Sequence, residues 1–179
     1  EIVTQFQIQN LLEEEQEYML IITLTCGGEE IHYYTRIIKA PDWNVGEAIE
    51  FALQFHETTF QPENVSSLST YMEPSSEGDN TTLQKVTIHS SMSQLAWGDF
   101  EGEVLADPVP SVKDIGSASN TVVLNYMMAA TGENGETEFY NVEEYFRLRY
   151  STQNERMYLL DYERTMNELF RGSGDNLTE

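Results

Sequence analysis

The run Glu136-Thr137-Glu138-Phe139-Tyr140-Asn141-Val142-Glu143-Glu144-Tyr145-Phe146-Arg147-Leu148-Arg149-Tyr150 decides the fold. Tyr140, Val142, Phe146, Leu148 and Tyr150 fall mainly on one face of an extended chain. Glu143, Tyr145, Arg147 and Arg149 fall on the other. A period of two over this length specifies a strand with one face in a core. Thr121 to Ala130 precedes it across a turn at Gly132-Glu133-Asn134-Gly135, and Arg156 to Arg164 follows it. Three neighbouring β-rich runs joined by short turns read as an antiparallel meander. Beyond them, Thr165 to Phe170 reads as a last helical turn packing Met166, Leu169 and Phe170. Residues 172–179 read as a mobile polar tail.

The same pattern recurs toward the N-terminus. Ile2, Thr4, Phe6 and Ile8 alternate with Val3, Gln5 and Gln7 as a first strand. Tyr18 to Cys26 and Glu30 to Lys39 flank Gly27-Gly28, a pair that supplies the positive φ angles of a tight hairpin. The period then changes to that of a helix. Val45, Ala48, Ile49, Ala52 and Phe55 make one stripe, opened by Asn44 and Glu47 as a capping box with Trp43 as a staple. Pro62 opens a short second helix with Val65, Leu68 and Met72 inward. Glu73 to Asn80 is a loop, and Thr82, Val86 and Ile88 suggest a strand. Ser91 with Gln94 caps one helical turn ending at Gly98 and carrying Trp97. Pro108 and Pro110 confine Val104 to Ile115 to an edge or irregular strand. The sum is an α+β domain over residues 1–171. Its mostly antiparallel sheet packs on one main helix, about 44–60, and a short second helix.

Composition limits the function classes. Thirty-one acids against nine Lys and Arg give a formal net charge of −22, which disfavours nucleic acid and anionic lipid. With 40% hydrophobic and 11% aromatic residues the chain is too apolar for a disordered acidic tail. Cys26 is the only cysteine, so neither an intrachain disulfide nor a thiolate cluster forms. The chain begins at Glu1, which fits a piece of a longer protein with a leader or anchor outside it.

No motif commits the chain to a reaction. His32, His56 and His89 are not spaced as metal ligands, and His56-Glu57 lacks the second histidine of a zinc-protease helix. Ser90, Ser91 and Asp99 near His89 lack the Gly-x-Ser-x-Gly elbow, and Ser91 has a capping role. Cys26 lies beside acids, where a thiolate is disfavoured, and reads as a strand residue. So many carboxylates make any glycosidase-like pair uninformative, including Asp99, Asp107 and Asp161. The acidic loops 77–80 and 133–136 do not match a calcium loop, and their Gly and Asn fit turns. No phosphate loop or dinucleotide fingerprint occurs, so no cofactor and no metal is expected. The one mild binding signal is a face formed by Tyr145, Arg147, Arg149, Tyr162 and Arg164, against the alternative of ordinary strand packing.

Several strings are distinctive: Tyr33-Tyr34-Thr35-Arg36-Ile37, the segment from Glu73 through Gln84 to Ser91, Trp97-Gly98-Asp99, the segment from Tyr140 to Tyr150, and Tyr158-Leu159-Leu160-Asp161-Tyr162-Glu163-Arg164. Together they resemble uncharacterised membrane-anchored envelope proteins of clostridial gut bacteria. That resemblance implies a larger parent with an N-terminal anchor, this domain outside the membrane and a propeller-like region beyond it. It carries over no catalytic residue. A more distant likeness to extracytoplasmic regulators of cell-wall two-component systems rests on architecture alone. The expectation is a non-enzymatic interaction or sensory domain whose partner is a protein or a cell-wall glycan. The alternatives are a glycan or peptide hydrolase and a small-molecule or ion-binding module.

Overall fold

The computed structural model describes residues 5, 8, 13–132 and 135–169. Two compact units result, residues 1–43 and 44–179. The expected first strand at 2–8 and the tail at 172–179 lie outside the described residues, apart from Gln5 and Ile8.

In the first unit, β1 (Glu17–Cys26) and β2 (Glu29–Ile38) form a two-stranded antiparallel hairpin. Gly27 and Gly28 both take positive φ, 62° and 89°, as a two-residue turn of matching twist demands. Directly opposed residues share a face. One face thus gathers Tyr18 with Ile37, Leu20 with Thr35, Ile22 with Tyr33, and Leu24 with Ile31. The other carries Glu17, Met19 opposite Arg36, Ile21 opposite Tyr34, and Thr23 hydrogen-bonded to His32 at 2.9 Å.

The second unit is a helix-covered antiparallel sheet. Its central path is β3 (Lys85–Thr87), β8 (Arg156–Glu168), β7 (Thr137–Ser151), β6 (Asn120–Thr131) and β4 (Gly102–Val104), with β5 (Val109–Ile115) also paired to β6. The fold is therefore α+β with a C-terminal meander, β6 to β8. Pro110 sits in β5, which pairs only β6 among the described residues, so its missing N–H faces an edge. Helix α1 (Val45–Thr59) lays Ala48, Ala52 and Phe55 on the sheet. The Phe55 ring meets Phe146 at 5.5 Å and Tyr162 at 5.0 Å. Fully burying such a side chain contributes roughly 1.5–3 kcal/mol. A 3-10 helix (Val65–Thr70) and α2 (Met92–Leu95) complete the cover, with Leu68 and Leu95 buried. Ser91 caps α2 by accepting the Gln94 N–H at 3.3 Å.

Two expectations are corrected. Thr165 to Glu168 is not a helical turn but the end of β8, paired with residues 140–143 of β7. The alternation in β8 is interrupted at Leu160, where the register with β7 slips by one. Met157 and Leu159 point inward before that bulge, and Tyr162, Arg164 and Met166 after it. A strict period of two fails across the bulge, so the continuing strand is hidden. The capping box also fails. Asn44 is the N-cap residue but has φ 58° in the left-handed region and makes no side-chain cap bond. Its amide instead donates to Glu47 Oε1 at 3.5 Å.

Candidate functional site

Even-numbered residues of β7 face the core, and Glu144 stands in that row between Val142 and Phe146 with 0% exposure. A carboxylate so placed must be bonded or neutralised. Tyr126 of β6 donates its hydroxyl to Glu144 Oε1 at 2.5 Å. His56, on the buried face of α1, donates from Nδ1 to the same oxygen at 3.0 Å. Across the sheet, Glu144 is the register partner of Arg164 on β8, which is also fully buried. Two elements, α1 and β6, thus converge their polar groups on one carboxylate oxygen.

Arg164 extends the network away from Glu144. Its Nη1 donates to the Leu95 carbonyl at 3.0 Å and its Nη2 to that of Gln94 at 2.7 Å. These carbonyls close the end of α2, where a cation is favoured; that of Gln94 also accepts the Trp97 N–H at 3.2 Å. Its guanidinium carbon lies 3.5 Å from the centre of the Trp97 ring. Trp97 stacks on Phe60 at 5.0 Å and donates its indole N–H to Thr59 Oγ1 at 3.1 Å. The Thr59 hydroxyl donates in turn to the His56 carbonyl at 2.8 Å, returning the chain of contacts to α1. Trp97 and Gly98 both have positive φ, 69° and 55°, and the strained Trp97 backbone aims its ring into this stack.

Burial, reinforced by the Glu144 charge, pushes the Tyr126 and Tyr162 hydroxyls far above the ordinary tyrosine range. Tyr162 feels both Glu144 and Arg164 yet makes a well-aligned bond to neither; Glu144 Oε2 and Arg164 Nε are likewise buried without one. A histidine oriented by a carboxylate is the form a general base takes. Here the His56 ring is 5% exposed and packed between Tyr126 at 4.7 Å and Phe60 at 5.2 Å. A nearby cavity of about 460 Å³ is lined by Phe60, Trp97, Phe100 and Met128 among others, with neither His56 nor Glu144 in its wall. A second, of about 700 Å³, is bordered by Asp99, Glu101 and Glu138. There Tyr140 donates to Glu138 at 2.6 Å, a bond that pushes its hydroxyl up to about 12.

The five residues singled out from sequence do not share a face. Tyr145, Arg147 and Arg149 lie on the outer side of β7, where Arg147 reaches Ser119 Oγ at 3.4 Å and Arg149 sits 5.9 Å from the Tyr158 ring. Tyr162 and Arg164 are buried on the opposite side of the sheet, opposite Phe146 and Glu144. His32 is exposed in the hairpin, and His89 donates from Nδ1 to the Glu73 carbonyl at 3.0 Å. In the loop 77–80, Asp79 accepts from the Thr81 hydroxyl at 2.6 Å and the Thr81 N–H at 2.9 Å, which holds its carboxyl below the usual range. Asn80 Oδ1 accepts from the Ser91 N–H at 2.8 Å. The loop 133–136 lies partly outside the described residues.

The buried Glu144–His56–Tyr126 cluster was missed in the sequence. Its signal was available: an acid in the inward row of β7, and a histidine four positions after Ala52 on the inward stripe of α1. The remaining unusual surface is the hairpin. Ile22, Leu24, Ile31 and Tyr33 on one of its faces are 39–55% exposed. Its sheet contains only two strands among the described residues. No helix among the described residues is long and apolar enough to cross a membrane. Compared with known proteins, the chain matches no family model, no curated protein and no solved structure.

Proposed function

We propose that this chain is a non-enzymatic interaction domain of an extracytoplasmic, membrane-anchored envelope protein, and that its binding element is the hairpin Glu17–Ile38. One observation carries the reading: the hairpin presents a continuous apolar face, Leu20, Ile22, Leu24, Ile31, Tyr33 and Ile37, most of it solvent-exposed. Exposed contiguous apolar surface marks contact sites, and open strand edges accept another polypeptide strand. The buried polar groups support it from the other side, because His56 donates to Glu144 and Arg164 donates to the Leu95 and Gln94 carbonyls inside the body. The envelope setting rests on the resemblance of the sequence strings and agrees with an anionic surface.

Calorimetry with cell-wall glycan fragments and polypeptide ligands, on the wild type and on Leu24→Asp, tests the reading. Binding that disappears in Leu24→Asp while the body stays folded supports it. Binding that is indifferent to the hairpin sinks it. The rival hydrolase reading draws on the 3.0 Å His56–Glu144 pair. It predicts turnover of a glycoside or peptide that falls by orders of magnitude in Glu144→Gln. A broad panel without turnover removes it.

A further inference from the structure

Strand β2 carries a charge pattern complementary to itself. From Glu29 to Lys39 the chain holds two acids, Glu29 and Glu30, at one end and two bases, Arg36 and Lys39, at the other. That segment is neutral in a chain of net charge −22. Two such chains repel over most of their surface, but not along this strand. A parallel pairing of two β2 strands sets acid beside acid and base beside base. An antiparallel pairing sets acid beside base at both ends. The other strand, β1, has Glu17 as its only charged residue and no such preference.

We infer that the hairpin's partner is a second copy of this chain, joined through the outer edge of β2 to that of its mate in an antiparallel four-stranded sheet. The inference rests on the interaction reading above and names the partner for the same site. Face matching fixes the register. Odd residues of β2, namely Glu29, Ile31, Tyr33, Thr35 and Ile37, lie on the mainly apolar face, and even residues on the other. Opposed residues in a sheet share a face, so odd must oppose odd. The two-fold axis then passes beside Tyr33, and Glu30 of each copy lies opposite Arg36 of the other, with Ile31 opposite Thr35. An axis at Tyr34 also matches faces and sets Glu29 against Lys39, but Lys39 lies beyond the end of β2 and already pairs with Glu14 at 3.4 Å, while Glu30 then meets Ile38 and His32 meets Arg36. Arg36 already contacts Glu17 at 3.4 Å across the hairpin. Both groups are more than half exposed. The apolar face becomes twice as wide, and one edge of each described hairpin closes.

The test is sedimentation of the full chain and two variants, Glu30→Arg and Arg36→Glu. The first bears only bases at the paired positions and the second only acids. Each alone brings like charges together, so dimerisation weakens by about tenfold or more. Mixing the two restores a heterodimer. The base introduced in one variant then faces the acid introduced in the other, and the unaltered Arg36 and Glu30 face each other. The wild type sediments with the mass of two chains, against 20.5 kDa for one. A second measurement does not depend on the charges: in a Cys26→Ser background, Tyr33→Cys cross-links the dimer by oxidation more readily than Tyr34→Cys. A wild type that stays monomeric at high concentration overturns the inference, as does a dimer indifferent to both charge variants. A monomer that still binds another ligand through the hairpin sinks self-pairing alone. A chain that neither self-associates nor binds through the hairpin sinks the interaction reading with it.

Discussion

The hairpin β1–β2 and the meander β6–β8 use one device, alternation of apolar and polar residues on paired strands, with opposite outcomes. In the meander the inward row Val142, Glu144, Phe146 and Leu148 is wholly buried, under a sheet face that α1 covers. In the hairpin the corresponding row stays open to solvent. Strand pairing satisfies backbone groups, but it does not remove side chains from water. A covering layer does that. Once the layer is present, even a carboxylate and a guanidinium can be enclosed, provided each finds partners.

The contrast can be broken most severely at Arg164. Arg164→Ala takes the guanidinium donor from the Leu95 carbonyl and one of two donors from that of Gln94, and removes the cation opposite Glu144. A loss of about 3–5 kcal/mol is expected, read by urea denaturation followed through tryptophan fluorescence. Alkali acts on the same interior. The folded-state pKa values of Tyr126 and Tyr162 lie above the unfolded value near 10. The stability tied to their protons is thus whole below that value. It declines as pH rises toward the folded values, by about 1.4 kcal/mol per pH unit for each tyrosine. A spectrophotometric titration should show the buried tyrosinates appearing together with unfolding. Their smooth ionisation in a folded chain would contradict the burial. Thr59→Val removes the acceptor of the Trp97 indole N–H and should cost about 1–3 kcal/mol by the same denaturation assay. At the other extreme stands Leu24→Ser on the open hairpin face. It should leave the stability of the body within about 0.5 kcal/mol while lowering binding of a hydrophobic dye. A large destabilisation there would show that the face is covered after all.

Local signals made much of this fold readable. Gly27-Gly28 fixes the hairpin turn, the stripe Ala48, Ala52 and Phe55 fixes α1, and Ser91 with Gln94 fixes the start of α2. Each is decided by residues within one or two turns of chain. The misreadings arise where one residue breaks a period or where the partners are far apart. The bulge at Leu160 hid the last four residues of β8. The left-handed backbone of Asn44 undid an otherwise well-formed capping sequence. Glu144 was legible in part, since an acid in an apolar row announces a partner, but nothing nearby in sequence names His56 or Tyr126. The Arg164–Trp97 stack joins β8 to the turn after α2, and no local pattern connects them.

That long reach has a kinetic meaning for α2. A helix of four residues has no stability of its own, and its terminal carbonyls are held by a guanidinium 69 and 70 positions further along. The little helix is therefore a late arrival in folding and a tenant of β8. In native-state hydrogen exchange its protected amides should open together with that strand, not ahead of it.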